Sequence, residues 1–348
     1  MFWTIKRILK RVFKILILIL GCLLVLAFLA FIGVFIWHHI ANNLEERDIV
    51  KVPGNRIEVY KKEVIHAYKT GAGDYTIVML PGMGTSSPYY DYYNLAKELA
   101  KTNQVIVIEP LGYGYSDNTK HKRDLKSYEY ELSKVLDYFE IKDNIIILNH
   151  SYSGISSLYY ANRHPEVKGI ICLDCTTAYQ IETHVKDGKF TEKTPKQSKV
   201  YSILAPLGIA RVAFSTFMSE DVEELLEDIP SKYHKAYKHF LYNKTLNITI
   251  INEINDIYQN QLDILGEKYN ENLYVSTFLS DETVKEMKEY KKDGDFKKDW
   301  EEMHNALISN PNIQKIYILE GNHYIHHGNV KEITETVNNM IAEMPKQE

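Results

Sequence analysis

A serine stands where an apolar run gives way to a helix-compatible segment. Residues 145–148 are all isoleucine or leucine, and Ser151 follows them within three positions. A sharp turn from a strand into a helix pushes such a serine out above the sheet edge and aims the next backbone N–H toward an oxyanion. The usual pattern is Gly-x-Ser-x-Gly, and here Asn149 and Ser153 occupy the two glycine positions. Ser151 is therefore a candidate nucleophile on an altered turn.

Two further motifs stand in the order that this chemistry needs. Residues 80–84, Leu-Pro-Gly-Met-Gly, end one apolar run in a glycine-rich turn, and His323 follows the apolar run 316–319. A glycine-rich oxyanion loop, then a serine, then a histidine is the chain order of one fold. Two other segments, 109–117 and 161–167, look like loops that connect strands and helices in that fold. In these features the chain resembles the α/β-hydrolase family from about residue 55 to 345.

The resemblance implies a role for each of these residues. Ser151 would attack the substrate after His323 takes its proton, because a serine hydroxyl is a weak nucleophile without an adjacent base. His323 would then return the proton to the leaving group. The backbone N–H groups of Met83 and Tyr152 would form the oxyanion hole.

Each role has a competitor nearby. A serine that follows a strand more commonly caps a helix, and Ser153 offers a second hydroxyl in the same turn. His326 and His327 follow the candidate base closely, and His150 directly precedes the serine. We interpret these three histidines as packing or surface groups, because only His323 follows its strand as the family's histidine does.

Two aspartates compete for the acid that orients the histidine. Asp174 ends the apolar run 169–173, and Asp281 comes shortly after the run 273–279. The family resemblance allows an acid at either strand end. Asp174 needs no shift in position, whereas Thr283 stands where the commoner arrangement would place the acid near Asp281. We favour Asp174 and keep Asp281 as the alternative.

Composition and cysteine usage exclude other classes of protein. The formal net charge is −5, which gives no basic footprint for nucleic acid. Hydrophobic residues make up 45% and charged residues 25% of the chain, as in a folded enzyme. Cys172 and Cys175 would face opposite sides of a strand, and no second cysteine pair completes a tetrahedral site. We predict no metal and no cofactor, and we interpret both cysteines as ordinary buried thiols.

Short apolar runs alternate with helical patterns along most of the chain. Alternation of this kind predicts parallel βαβ units, and the runs are continuous because both faces of such a sheet are covered. The predicted fold class is α/β, with a mostly parallel central sheet flanked by helices. Residues 56–176 and 266–348 would form this core. Residues 177–265 contain helical patterns without a convincing strand, which predicts a helical cap or lid.

The N-terminal part predicts a separate element. Residues 15–37 are an uncharged apolar run, and about twenty such residues suffice for a transmembrane helix. Residues 1–14 carry five lysines and arginines, so the N-terminus should face the cytoplasm. The hydrolase domain would then lie outside the cell membrane, after a linker over 38–55. A cleaved signal peptide and a lipoprotein at Cys22 are alternatives, and the length of the run disfavours both.

These observations together predict a membrane-anchored serine hydrolase. It would cleave a small-molecule or lipid-like ester through an acyl-enzyme, with an amide or peptide as second choice. A serine nucleophile disfavours aspartate-based dehalogenases and epoxide hydrolases. The altered turn at Asn149 and Ser153 motivates a second hypothesis, a catalytically inactive binding protein on an α/β-hydrolase scaffold. The predicted partners are the substrate and the membrane, without nucleic acid, and the sequence indicates no oligomeric state.

Overall fold

An eight-stranded sheet forms the centre of the molecule. The computed structural model describes residues 2–49, 52–186, 189–190, 205–292 and 297–345. The strands are Asn55–Tyr60 (β1), Glu63–Gly71 (β2), Thr76–Leu80 (β3), Gln104–Glu109 (β4), Ile145–His150 (β5), Val167–Leu173 (β6), Val185–Lys186 (β7), Lys189–Phe190 (β8), Tyr274–Ser280 (β9) and Gln314–Leu319 (β10). The large sheet has the order β1-β2-β4-β3-β5-β6-β9-β10, and β7 pairs separately with β8.

The pairing of the strands places their carboxyl ends along one edge. Strand β2 is antiparallel to β1 and β4, and all other neighbours in the large sheet are parallel. Every residue of β5 is buried, because this strand lies between β3 and β6 and both faces are covered. Residues that follow β5, β6 and β10 therefore emerge at the same edge, where ligands bind in open α/β sheets.

Helices cover both faces of the sheet. The helices are Phe2–Asp48 (α1), Pro88–Asp91 (α2), Tyr93–Leu99 (α3), Leu125–Tyr138 (α4), Ser153–Ala161 (α5), Ile209–Val212 (α6), Ser219–Leu226 (α7), His234–Lys244 (α8), Ile248–Asp263 (α9), Asp281–Lys292 (α10), Trp300–Asn305 (α11), Ile325–Gly328 (α12) and Val330–Glu343 (α13). Apolar side chains of α4 and α5 pack on one face, and those of α3 and α13 on the other. The predicted fold class is confirmed.

We call residues 209–263, which contain helices α6–α9, the cap; they lie between β6 and β9 in the chain. Asn247 starts α9 because its side chain accepts hydrogen bonds from the backbone N–H groups of Thr249 and Ile250. Tyrosines of α2 and of the cap form much of the contact between cap and core, and the rings of Tyr90 and Tyr233 lie 5.0 Å apart. The predicted insertion 177–265 also contains the short β7–β8 pair, and its residues 187–188 and 191–204 lie outside the described part of the chain.

Helix α1 is longer than the apolar run predicted. It spans 47 residues, Phe2–Asp48, and is the one helix in the described residues that is long and apolar enough to cross a membrane. The predicted linker over 38–55 is therefore helical as far as Asp48. The side chain of His38 on α1 is buried, whereas the apolar side chains of α1 that precede it are mostly exposed. Packing of this last part of α1 against the cap explains why the helix continues.

Candidate active site

Ser151 occupies a strained turn at the end of β5. Its φ is +52°, in the left-handed region that residues with a side chain rarely adopt. Hydrogen bonds on both sides hold it there. Its N–H donates to the carbonyl of Leu173 at 3.2 Å, and its carbonyl accepts from the N–H groups of Gly154 at 3.0 Å and Thr176 at 2.9 Å. Such strain, typically about 1–3 kcal/mol, persists where the surroundings fix it and is common at functional sites.

The two altered positions of the turn have different environments. Ser153 Oγ lies 2.8 Å from the carbonyl of His150 and 3.1 Å from that of Leu80, so its hydroxyl bonds to the backbone of the turn. Asn149 is completely buried, and its Oδ1 lies 2.6 Å from Sγ of Cys175. The tight approach falls at Gly154 instead, where an added Cβ would meet Cβ of Cys175 at 2.7 Å. Glycine is thus required one position later than the usual pattern places it.

The carboxylate of Asp174 is fully buried at the end of β6 and has four donors. Oδ1 accepts from the backbone N–H of Ser280 at 3.1 Å and from Nε1 of Trp300 at 2.7 Å. Oδ2 accepts from Oγ1 of Thr283 at 2.7 Å and lies 2.7 Å from Nδ1 of His323. These partners fix the plane of the carboxylate and hence the orientation of the imidazole ring.

The alternative acid, Asp281, supports the same loop differently. Its Oδ1 accepts from the backbone N–H of Gly321 at 3.0 Å, and its Oδ2 lies 2.5 Å from Nζ of Lys285. The hydrogen bond from Lys285 holds the pKa of Asp281 below its usual value. The structure therefore pairs the ring of His323 with Asp174, while Asp281 holds the backbone two residues before that histidine.

The carboxylate beside Nδ1 favours the tautomer of His323 that a general base needs. With Nδ1–H donating to Asp174, the lone pair of the other ring nitrogen, Nε2, is left to accept a proton. Within the described residues, the hydroxyl of Ser151 makes no side-chain hydrogen bond, so the serine and the histidine are not joined in this state. Such contacts are often long in unliganded enzymes and shorten when substrate binds.

The glycine-rich turn after β3 approaches the serine closely. A Cβ at Gly82 would meet Nδ1 of His150 at 2.6 Å and Cβ of Ser151 at 3.1 Å, so only glycine lets the loop pass. The backbone N–H groups of Met83 and Tyr152 donate to no group within the described part of the chain. Two such amides beside a serine are what an oxyanion hole requires.

The cap contacts both segments that carry these amides. Gly84, next to Met83, donates its N–H to the hydroxyl of Tyr113 at 3.2 Å, and Tyr113 in turn donates to Glu253 of α9 at 2.5 Å. Asn260, also on α9, donates to the hydroxyl of Tyr152 at 2.8 Å. A cavity of about 50 Å³ is lined by Tyr113, Tyr152 and Glu253 and by Ser153, but not by Ser151.

Charged groups are buried at this contact. Arg123 is fully buried and bonds to both carboxylate oxygens of Glu131, at 2.5 and 3.1 Å. Burial raises the pKa of Glu253 more than the nearby guanidinium of Arg123 lowers it. Sequence reasoning missed Glu253 and Asn260. The available signal was their spacing of about two turns, which puts two polar residues on one face of α9.

A second cluster of titratable groups fastens the histidine loop to α2. Nε2 of His326 and Nε2 of His327 lie 3.1 and 3.0 Å from separate oxygens of the buried Asp91. Burial alone would raise the pKa of Asp91, and the two imidazoles outweigh it and lower that pKa. Among the described residues this is the one group of three such side chains spaced closely enough for a metal ion. Each nitrogen faces its own carboxylate oxygen, so both oxygens of Asp91 already have a hydrogen-bond partner. The absence of a metal stays a prediction.

The expectations that Cys172 and Cys175 face opposite sides and that both are ordinary buried thiols are wrong. Their sulfur atoms are in direct contact as a disulfide pair, with the two Cα atoms 5.6 Å apart. Alternation of side chains applies only within a strand. Strand β6 ends at Leu173, and Asp174 has a left-handed φ of +44°, which turns the chain back.

Comparisons with known proteins agree with this architecture. The chain is 28% identical over 254 residues to YbdG, an uncharacterized protein of Bacillus subtilis, covering 72% of this chain and 75% of the relative. It is 33% identical over 118 residues to cis-3-alkyl-4-alkyloxetan-2-one decarboxylase of Shewanella oneidensis, but covers only 35% of that protein. The crystal structure of epoxide hydrolase VrEH1 from Vigna radiata superposes with a TM-score of 0.57 at 16% identity, covering 84% of this chain and 98% of the other.

The family itself is identified by a longer match. Residues 75–340 match the family described as alpha/beta hydrolase fold, which is more than half of the chain. The matched range includes the glycine-rich turn, the strained serine, both strand-end aspartates and the histidine loop. The chain belongs to the α/β-hydrolase family.

Proposed function

We propose that the protein is a membrane-anchored serine hydrolase that cleaves an ester through an acyl-enzyme. The observation that carries the proposal is the 2.7 Å contact between Nδ1 of His323 and Oδ2 of the buried Asp174. It supplies an oriented imidazole at the sheet edge where the strained turn presents Ser151. A base held by an acid beside a strained serine has the organisation of a catalytic triad.

In the proposed reaction, Ser151 Oγ attacks the ester carbonyl as His323 Nε2 takes its proton. Asp174 stabilises the imidazolium that results without itself becoming protonated. The amides of Met83 and Tyr152 donate to the oxyanion of the tetrahedral intermediate. His323 then gives its proton to the leaving alcohol, and a water activated in the same way hydrolyses the acyl-enzyme.

A fluorophosphonate probe tests this proposal, because it forms a covalent bond only with an activated serine. The full-length protein should be labelled, and Ser151→Ala should not. Ser153→Ala is the matched control, since its hydroxyl bonds to the backbone of the same turn and should not be needed for labelling. If labelling is lost in Ser153→Ala and kept in Ser151→Ala, the nucleophile is Ser153 and the proposal is wrong.

The same experiment decides the second hypothesis, an inactive binding protein. The substituted turn and the open Ser151–His323 pair are the observations that favour it. Failure of the wild-type protein to react with the probe, while it remains folded by circular dichroism, would support the binding protein. The names of relatives suggest other reactions, including decarboxylation and epoxide opening. We favour ester cleavage because the residue at the turn is a serine.

Membrane anchoring is supported by the length and apolarity of α1. The basic residues before the apolar run support an N-terminus inside and a hydrolase domain outside. Contacts of the end of α1 with the cap support its retention in the mature protein. Protease added to intact spheroplasts that make the protein should digest the domain beyond residue 48. Complete protection, or a mature N-terminus after residue 30, would refute this topology.

A further inference from the structure

The end of α1 is fastened to the cap by a polar junction. It consists of three α1 residues, spaced on one helix face, and three cap residues: His38, Asn42, Glu45, Arg211, His239 and Asn243. The guanidinium of Arg211 lies 2.6 and 2.7 Å from the two carboxylate oxygens of Glu45 and 2.6 Å from Oδ1 of Asn42. A bidentate pair of this kind fixes orientation as well as distance.

This junction fixes the position of the cap along the axis of α1. The Arg211 side chain is only 4% exposed, and its guanidinium lies 5.6 Å from the ring of Trp37, which ends the apolar run. Gly208 is left-handed at φ +83°, and an added Cβ there would meet Cβ of His38 at 2.7 Å. The start of α6 therefore rests directly on α1 at the level of Trp37 and His38.

Exposed apolar side chains lie next to this junction. Ile209 is 40% exposed, Met218 is 41% exposed, and Phe217 at 85% is the most exposed large hydrophobic side chain outside α1 in the described residues. Ile209 directly follows the glycine that touches His38. Phe217 ends the turn of π-helix, Ala213–Phe217, that continues α6. A soluble domain has no reason to present this group to water, and such patches commonly mark an interaction site.

We infer that Ile209, Phe217 and Met218 contact the bilayer surface beside α1. The inference rests on the membrane anchoring proposed above. Aromatic residues such as Trp37 sit at the boundary between headgroups and acyl chains. Gly208 and Arg211 hold the start of α6 at the level of Trp37 and His38, so Ile209 lies at that boundary, where apolar side chains are stable. The π-helical turn that ends at Phe217 continues directly from α6 and carries the other two side chains. The occupant of this surface is therefore lipid, and the cap is the part of the hydrolase domain that meets it.

The contact can be tested without any measurement of activity. The exposed Cys22 is replaced by alanine, and Phe217→Cys is labelled with an environment-sensitive nitrobenzoxadiazole dye. The full-length protein is reconstituted in phosphatidylcholine–phosphatidylglycerol vesicles that carry a spin label near the head of the acyl chain. The matched control is Ile318→Cys, because Ile318 is 48% exposed but lies on the edge strand β10 of the core.

The dye at position 217 should be blue-shifted and quenched by the spin-labelled lipid, while the dye at position 318 should not. Equal, unquenched emission at both positions in anchored protein overturns the inference. A blue shift that grows with protein concentration in lipid-free detergent would show that a second copy covers the patch, which also overturns it. Fluorophosphonate labelling and carbonate extraction of the same sample report separately on the serine hydrolase and on the anchor. Protein that carbonate removes from the vesicles overturns both the anchor and the inference.

Discussion

The two sides of the candidate active site are held by different kinds of contact. On the core side, Asp174 accepts from a backbone amide, an indole, a hydroxyl and an imidazole, all of which belong to the core. On the cap side, Glu253 accepts from two tyrosine hydroxyls and lies beside the buried Arg123. The partners on the core side follow the ends of neighbouring strands, whereas on the cap side no strand pairing aligns Glu253 of α9 with its tyrosine partners.

The difference has a physical origin. Strands β6 and β9 pair in parallel register, with Leu173 opposite Phe278, so Asp174 is placed beside Ser280 by the backbone itself. No backbone ladder places Glu253, and its position depends on the docking of α9 through buried polar groups. We therefore expect substitutions on the core side to abolish chemistry with the fold kept, and substitutions on the cap side to change stability first.

The largest effect is expected for Asp174→Asn. The amide cannot stabilise an imidazolium and favours the wrong histidine tautomer, so turnover should fall by about 10⁴-fold with the fold retained. The measurement is the kcat for a soluble ester together with the thermal unfolding curve of the full chain in detergent. A variant with nearly normal kcat would show that another acid orients His323.

On the cap side, Arg123→Met should mainly destabilise the protein. It leaves the carboxylate of Glu131, which is 4% exposed, buried without its partner, and the expected cost is about 3–5 kcal/mol of unfolding free energy. The measurement is the unfolding midpoint by circular dichroism. The double variant Arg123→Met with Glu131→Leu should recover much of the loss, because an apolar pair replaces both charges. No recovery would show that the ion pair itself is not the cause.

A smaller, pH-dependent effect is expected for Glu253→Gln. Burial raises the pKa of Glu253 in the folded protein, so folding favours the protonated acid. The stability that this group contributes is complete below its unfolded pKa and is lost as pH rises through the folded pKa. Above the usual pKa range of glutamate, the unfolding midpoint of the wild type should therefore fall relative to that of Glu253→Gln.

The control for this titration is Glu271→Gln, at an exposed loop position. It should leave the shape of the pH profile unchanged. If the unfolding midpoints of Glu253→Gln and the wild type change with pH in parallel, folding does not raise the pKa of Glu253.

The smallest effect is expected for Asp281→Asn. Its Oδ1 can still accept from the N–H of Gly321, and the lost partner Lys285 is exposed. The kcat and KM for the same ester should therefore stay close to those of the wild type. A loss comparable to that of Asp174→Asn would remove the distinction between the two aspartates.

Much of the core side could be predicted from the sequence. Runs such as 145–148 are continuous and apolar because both faces of their strands are covered, and turns with glycine or polar residues mark their ends. Ser151 and His323 could be named as candidates because each follows the end of such a run within four positions. The sequence favoured Asp174 over Asp281 as the partner of His323 but did not decide between them. The choice depends on where each carboxylate points, which the sequence does not show. Asp281 begins α10 and bonds to Lys285 one turn later.

The cap side was not predictable in the same way. Tyr113 and Glu253 are brought together by the docking of α9 and not by the pairing of two strands, so no pattern of apolar runs in the sequence places them side by side. The polar junction at the end of α1 was missed for a similar reason. His38, Asn42 and Glu45 resemble a solvated helix face, and only the partner Arg211 reveals that the face is covered. The need for glycine at position 154, rather than 153, depends on the disulfide partner Cys175 across the turn.

Helix α1 continues unbroken for about three turns beyond Trp37 before it ends at Asp48. A flexible tether would let an enzyme sweep a volume whose radius grows with the square root of tether length. A continuous helix that is fastened to the cap allows no such sweep. If α1 is the proposed anchor, the hydrolase domain stays at a fixed distance from the bilayer. It then meets a membrane-bound substrate by diffusion in the plane of the membrane. The rate of encounter would then follow the number of substrate molecules per unit area of membrane, rather than their concentration in the surrounding solution.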